Sequence, residues 1–450
     1  MGWTRRSLRR FEERCINGIV VEVFKGRKTM GWLDDLIDSV SELESPTSYW
    51  LWSGMTAIAA VVKNRVYLPK GKLLARKATG DEEVYKLYPS LYVLLLGPSG
   101  TRKGPPIALA RSLVALAGDT RIISGRSSIQ AIITELGRTK TRPGGGPIVT
   151  DSSAFINASE MSTAFVKDPD SLTILTDLFD NHYHNKKGNT WKNTLKHSSV
   201  ETLRDICITI LAGINDAHFD DMIHTKDLEG GFVARCLVVK EERRARKNSL
   251  LRPLQKAPDV DELADYLRKL RQLKGAFELA PDAIDFYEAW YERFNPEDMG
   301  DKTGSANRIH DHVLKVAQNL ALSRAPELFI IKDDIELALK LCVDTTLADI
   351  TDISAGVGDS DIAKKAKILI KRLRKCPGNR MTRTRLLRLH YMDFDKHDLE
   401  RMQETLIEAN LILEPYRVKI GGTYDYMFEL APKVVDEIAA ARAEAEAKRV

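Results

Sequence analysis

The chain has 450 residues, 43% of them hydrophobic and 29% charged, the balance of an ordinary globular protein long enough for about three domains. Lysines and arginines number 68 against 63 acids, a net charge of +5 that permits contact with nucleic acid without demanding it, so that where the charge sits matters more than its sum. Five widely spaced cysteines (Cys15, Cys207, Cys236, Cys342, Cys376) with no CxxC pair exclude a disulfide framework and a zinc site and point to a reducing cytoplasm, and no apolar run approaches the roughly 20 residues of a membrane span.

Residues 1–30 are basic, lack the apolar core of a signal peptide, and close on a strand-like patch, Ile19 to Phe24; they read as a poorly ordered arm. From Trp32 to Leu74 the pattern is helical, WLDDLIDSV and then YWLWSGMTAIAAVV, with the proline and serines of SELESPTS as a turn, and this predicts a small helical domain over 31–80. Residues 84–240 alternate apolar strand-like runs (91–96, 147–156, 206–214, 232–239) with helical stretches, the pattern of an α/β core placed at 81–250. The charged run KEERRARKN and then PLQKAPD read as a linker to an all-helical segment, 251–355, which the break SAGVGDS ends. Residues 361–430 give three helical stretches and two strand-like runs around Gly421-Gly422, which suggests a winged helix within 356–450, ending in a charged helical tail.

The most informative segment is LYVLLLGPSGTRKG, an apolar strand running into a glycine-bounded loop with one lysine. Gly97 and Gly100 let the backbone turn its N–H groups toward an anion, and Lys103 adds a mobile positive charge for phosphates. Against GxxxxGK[ST], Gly97 and Lys103 fit, Arg102 replaces the second glycine, and Gly104 replaces the hydroxyl that would ligate magnesium. Pro105 and Pro106 lack amide donors, so phosphate contact falls to Gly97, Pro98, Ser99, Gly100, Thr101, Arg102, Lys103 and Gly104. A tight strand-to-helix turn with a solvated lysine is the bland alternative.

Hydrolysis of a bound nucleoside triphosphate needs a carboxylate at the end of a neighbouring strand, and AFINASEM offers Glu160 as the base that activates water. Ser159 stands where an aspartate would help hold magnesium, so the metal is expected to be held through water and nucleotide, with Ser159 or Asp151 nearby. CITILAGIN ends in Asn215, placed to bond a terminal phosphate or orient water, although an asparagine after a strand is ordinarily turn chemistry. In GGFVARCLVV, Arg235 precedes an apolar strand, a setting that suits an arginine delivered to a neighbouring subunit's phosphate or, more simply, a surface arginine. SANRIHDHVLKVAQNLA is amphipathic: Ile309, Val313, Val316 and Leu320 make the buried stripe, and Arg308, His312 and Lys315 line a polar face from which Arg308 reaches a nucleotide or merely meets solvent. The pairs His182/His184 and His310/His312 lack a third ligand and are not read as metal sites.

Two regions suit nucleic acid. NHYHNKKGNTWKNTLKHSS carries Lys186, Lys187, Lys192 and Lys196 with Trp191 for stacking, as in a hairpin that tracks a phosphate backbone. Between Lys364 and Arg388 there are eleven lysines and arginines and no acid. The following helix, by contrast, lines up Glu400, Glu404 and Glu408, so backbone contact through Arg383, Arg385 and Arg388 is expected rather than sequence reading.

In chain order, ELESPTSYWLWSG, GPSGTRKG, FINASEM and GGFVARCLVV resemble the helicase-like ATPases of phages and prophages within the AAA+ superfamily, over roughly residues 32–350. More distantly the chain is similar to minichromosome maintenance helicases, with Asn215, Arg235 and Arg308 in the places of sensor 1, the arginine finger and sensor 2. The resemblance implies an αβα AAA+ core with a helical collar and lid, ATP and Mg2+ as cofactors, and a homo-oligomeric ring, a hexamer, with ATP between subunits. It also implies DNA as partner, single-stranded or forked, and a role in replication of a phage or mobile element in the cytoplasm of a bacterial host. Since no primase or nuclease motif is visible, those activities fall to partner proteins. The rival readings are an ATP-gated DNA-binding or helicase-loading protein with slow hydrolysis, and a regulatory ATPase-like module without a DNA role.

Overall fold

The computed structural model describes residues 31–76, 81–125, 128–138, 151–161, 169–180, 190–193, 201–216, 218–219, 231–249, 251, 254, 256–354, 361–374, 376–391, 393–420 and 422–432. The expected N-terminal arm and C-terminal tail lie outside them. The chain forms two compact units, one over Ile16–Ala355 and one built on Gly356–Val450.

The first unit is a mixed α/β structure around a parallel five-stranded sheet. A hairpin comes first, β1 (Val66–Arg76) antiparallel to β2 (Asp81–Leu87). The sheet is made by β3 (Tyr92–Leu96), β4 (Ile122–Ser124), β5 (Ser153–Ala158), β8 (Cys207–Ile214) and β9 (Cys236–Lys240), in the order β4-β5-β8-β3-β9, while β6 (Thr190–Asn193) and β7 (Glu201–Arg204) form a separate ribbon. Runs such as YVLLL and CITILAGI are buried along their whole length, as strands covered on both faces must be. Because β3 lies between β8 and β9, the chain leaves it toward one side of the sheet and returns later on the other, so the crevice for a ligand opens at the carboxyl end of β3.

Two expectations change here. The helix Thr47–Val62 is buried on every side and packs on β3, β8 and β9 and on the helices Trp32–Ser39, Gly104–Ala117 and Ser305–Arg324. A helix apolar all round must lie inside a core, so residues 31–62 belong to the same unit as the sheet rather than to a domain of their own. The helical pattern also stops at Val62; VYLPKGKLLAR forms a strand of the hairpin, and its proline and glycine fall beyond Val66 and Tyr67, which pair on the other side with Gly275 and Ala276.

The polar face expected on Ser305–Arg324 is also internal. His312 and Lys315 are buried, and the Lys315 ammonium donates to the Ser90 carbonyl at 3.2 Å and lies 4.1 Å from the centre of the Phe179 ring. Asn319 donates to the Pro89 carbonyl at 2.9 Å. The helix thereby satisfies the carbonyls of the segment that enters β3.

The C-terminal unit contains the helices Asp361–Arg374, Arg383–His390 and Lys396–Glu408 and a three-stranded antiparallel sheet in which Thr423–Glu429 lies between Arg380–Thr382 and Tyr416–Ile420. Its core gathers Leu369, Leu373, Leu386, Leu399, Met402 and Phe428. Among the described residues no helix is long and apolar enough to cross a membrane.

Burial pushes the Lys315 ammonium down from its ordinary 10.5 to about 8. Below pH 8 both folded and unfolded chains carry the proton and the fold bears the full burial penalty. Between about pH 8 and 10.5 only the unfolded chain keeps it, so stability rises with pH. Urea unfolding of Lys315→Met, compared with the parent across pH 7 to 10, is expected to lack this rise of up to roughly 3 kcal/mol; equal pH slopes in the two proteins would contradict the assignment.

Candidate active site

The loop after β3 is held by groups from three distant segments. The Tyr49 hydroxyl donates to the Leu96 carbonyl at 2.6 Å and the Glu241 amide to the same oxygen at 3.0 Å. A Cβ on Gly97 would stand 2.3 Å from the Glu241 carbonyl oxygen and 2.8 Å from the Tyr49 hydroxyl, so only glycine fits. Arg102, at the position where the phosphate-loop pattern has its second glycine, adopts φ +65°, a conformation that disfavours a side chain. Its guanidinium donates to Glu44 at 2.7 Å and its carbonyl accepts from the Ser45 hydroxyl at 2.7 Å. Pro98, Ser99 and Gly100 are exposed, Thr101 is buried, and Gly104 opens the helix Gly104–Ala117. Its N-terminus aims a positive dipole end at the loop.

Lys103 is half-buried and donates to the Gly97 carbonyl, to the Pro98 carbonyl at 3.2 Å and to the Thr101 hydroxyl at 3.5 Å. Burial lowers its pKa, and the charges of Asp216 and Glu160 oppose that. Both carboxylates therefore sit close enough to act on the lysine.

Glu160 follows β5 and is exposed. Its position depends on Gly213, where a Cβ would meet the Ser159 carbonyl oxygen at 2.5 Å, while the Met161 amide donates to the Gly213 carbonyl at 2.5 Å. Asn215, just past β8, donates to Glu160 Oε1 at 3.3 Å and accepts from the His218 amide at 2.9 Å; the His218 ring nitrogen Nδ1 is 3.9 Å from Glu160 Oε1. Lys103, Glu160 and Asn215 thus meet at the carboxyl ends of three adjacent strands. Asp216 and His218 join them there and were not singled out from the sequence; the one signal is their place directly after Asn215.

Asp151 does not belong to this group. It precedes β5 and so lies at the opposite end of the strand from Ser159 and Glu160, on the order of 20 Å away at about 3.3 Å per residue. Its carboxylate binds Lys63 at 3.3 Å and the Ser153 amide at 2.8 Å. Burial works to raise its pKa, but Lys63 and Ser153 more than offset this and the carboxyl stays below the usual range. Ser159 remains beside Glu160. Among the described residues no group of three His, Cys, Asp or Glu side chains could hold a metal by itself.

Arg235 and Arg308 are also placed otherwise than expected. Arg235 ends a short 3-10 turn before β9, at the amino end of the sheet, and is buried. It donates to both the Asp180 carboxylate and the Gly231 carbonyl. Arg308 donates to the other Asp180 oxygen at 3.3 Å. Neither is an unengaged surface arginine, and within one chain neither approaches Lys103. A small cleft beside them is lined by Phe179, Asp180, Asp311, His312 and Lys315.

Of the expected hairpin, Trp191 and Lys192 lie on β6, Trp191 half-buried opposite Leu203 and Lys192 exposed; Lys186, Lys187 and Lys196 lie outside the described residues. In the C-terminal unit Arg385 and Arg388 are exposed, whereas Arg383 donates to Glu400 at 2.7 Å, so the acidic line of that helix engages one of the three arginines.

No family model matches the chain and no curated relative does. Among solved structures, that of the ORC1 protein of Aeropyrum pernix in complex with DNA is similar at 15% identity, covering 79% of this chain and 86% of that one, with a TM-score of 0.20, too low to carry any functional weight.

Glu241, directly behind Gly97, accepts from the Ser48 hydroxyl at 2.5 Å, and burial raises its carboxyl from 4.5 to about 7. From about pH 4.5 to 7 the folded chain holds a proton that the unfolded chain has lost, so stability falls as pH rises through that window. Glu241→Gln, which keeps the acceptor for Ser48, is expected to gain up to roughly 3 kcal/mol over the parent at pH 8 and almost nothing near pH 4.5 in urea unfolding; a gain independent of pH would contradict the assignment.

Proposed function

We propose that the chain is an AAA+-type ATPase that binds ATP at Gly97–Gly104, assembles as a hexameric ring and translocates on DNA as a helicase in replication of a phage or mobile element. One observation carries this reading: Lys103, Glu160 and Asn215 converge at the carboxyl ends of β3, β5 and β8. In the proposed reaction Lys103 exchanges the loop carbonyls for phosphate oxygens, which as anions are stronger acceptors. Glu160, open to solvent, takes the proton of the attacking water, and Asn215 fixes the carboxylate that does so. The neighbouring carboxylates Glu160 and Asp216, with Ser159 beside them, are hard oxygen donors of the kind that hold magnesium through its water shell; bound there, the ion neutralises phosphate charge. Arg235 and Arg308 serve the site of an adjacent copy after leaving Asp180.

In the same reading residues 251–355 are the lid and the C-terminal unit is a winged helix that contacts DNA through Arg385 and Arg388. The protein works in the cytoplasm of a bacterial host beside a separate primase. The departure at Gly104, which removes the usual magnesium hydroxyl, and the pairing of Arg235 with Asp180 favour a second reading, an ATP-gated DNA-binding or loading protein that hydrolyses slowly.

Steady-state ATP hydrolysis with magnesium, with and without single-stranded DNA, separates the two. The motor reading expects stimulation by DNA, loss of about a hundredfold or more in Glu160→Gln, and about a thousandfold in Arg235→Ala. Mixing inactive Lys103→Ala with inactive Arg235→Ala is expected to restore activity in part, because a mixed ring contains interfaces with both groups intact. Background hydrolysis in the parent despite ATP binding would replace the motor with the loader, and absence of ATP binding would remove both.

A further inference from the structure

The hairpin Tyr416–Ile420/Thr423–Glu429 carries a face that none of the preceding assignments uses. Its register pairs Arg417 with Tyr426 and Lys419 with Tyr424, and alternation along each strand puts these four side chains on one side. All four are exposed, Tyr424 at 56% and Tyr426 at 48% of full accessibility. The Arg417 guanidinium lies 3.9 Å from the centre of the Tyr424 ring and the Lys419 ammonium 5.9 Å from it. Two residues further on, the same face turns Phe428 into the apolar core, so the tyrosines extend from an anchored strand. The acid between them, Asp425, belongs to the opposite face and accepts from the Thr384 amide at 3.4 Å. Tyr416 is tied by its hydroxyl to Glu429 at 2.7 Å.

We propose that this face binds single-stranded nucleic acid, with Tyr424 and Tyr426 each stacking one base and Arg417 and Lys419 meeting the adjacent phosphates. The inference rests on the nucleic-acid part of the function proposed above and names where and in which form the strand is held. Rings two residues apart are separated by about 7 Å along the strand, so each takes its own base. A stacking platform needs bases with open faces, which a duplex does not offer, and the paired cations give charge complementarity to the backbone. An apolar protein partner would be poorly served by rings flanked by two cations, and an acidic peptide would have no use for the rings.

The test measures fluorescence anisotropy of a labelled oligo-thymidylate and of a labelled blunt duplex with the intact chain. The variants are Tyr424→Ala/Tyr426→Ala, Tyr424→Phe/Tyr426→Phe and Arg385→Ala/Arg388→Ala, each checked for an unchanged melting temperature. The proposal expects the alanine pair to weaken oligo-thymidylate at least about tenfold, from stacking worth about 1–3 kcal/mol per base, while duplex binding stays within about twofold and the phenylalanine pair binds like the parent. Unchanged single-strand binding in the alanine pair, or an equal loss on both probes, overturns the stacking face and leaves the nucleic-acid reading intact; loss confined to Arg385→Ala/Arg388→Ala has the same meaning. Failure of the parent to bind either probe overturns both.

Discussion

Glu44 is the interaction on which the phosphate-type loop stands. Its carboxylate is almost wholly buried and accepts from Arg102 and Arg244, each at 2.7 Å, and from the Asn248 amide at 3.2 Å. The Asn248 amide, followed by the two guanidiniums, holds its pKa below the usual carboxylate range. Arg102 in a left-handed conformation costs about 1–2 kcal/mol, and a hydrogen bond between charged groups contributes about 1.5–3 kcal/mol. The two are of the same size, which explains how an arginine occupies a position that loops of this kind give to glycine. The same carboxylate joins the turn before Thr47–Val62 to the segment after β9, so the loop, the central helix and the exit from the sheet share one anchor.

The parallel direction of the sheet then separates two chemistries. Residues that follow strands, Lys103, Glu160 and Asn215, gather at one end; Arg235, which precedes a strand, lies at the other. Asp180 holds Arg235 and Arg308 together at that far end, two guanidiniums on a single carboxylate. No rearrangement of side chains within one chain spans the sheet, so in the proposed reaction the arginines act only on a second copy. Asp180 then competes with the phosphate for them, and assembly and hydrolysis become linked by the exchange of one anion for another.

Much of this was legible in the sequence where one element contains its own explanation. The strands at 92–96, 153–158 and 207–214 are buried along their whole length and mostly apolar, and that pattern survives in one dimension, as does the spacing from Gly97 to Lys103. What failed to show depends on partners remote in sequence. Nothing near Arg102 reveals Glu44, and nothing near Arg235 or Arg308 reveals Asp180. Asp151 falls inside the strand-like run expected at 147–156; the strand instead begins at Ser153, and its direction puts Asp151 and Ser159 at opposite ends. Lys315 and His312 read as a wet helix face because the pattern cannot show that the Ser90 carbonyl waits for the lysine. The strand at 122–124 is too short to leave a pattern, and β1 was lost because the helical reading carries past Val62, through Lys63–Arg65, to Leu74.

The carbonyl of Glu241 packs against Gly97, so the end of β9 must be held in place for the loop to keep its shape. Two buried acids do this. Glu241 takes the Ser48 hydroxyl from the N-terminal helix, and Asp349, raised to about 8 mainly by burial, accepts from the Lys240 amide at 3.0 Å. A pair of apolar side chains in the same space would be more stable, because burying a carboxyl costs free energy even when it is protonated. Apolar contacts, however, have no direction and allow a strand to slide by fractions of a residue. Hydrogen bonds to Ser48 and to the Lys240 amide fix residues 240 and 241 from two sides at once, which is the gain in specificity that buried polar groups provide at the expense of stability. The two hydrogen bonds therefore set where the end of β9, and with it Gly97, stands, at a cost in stability.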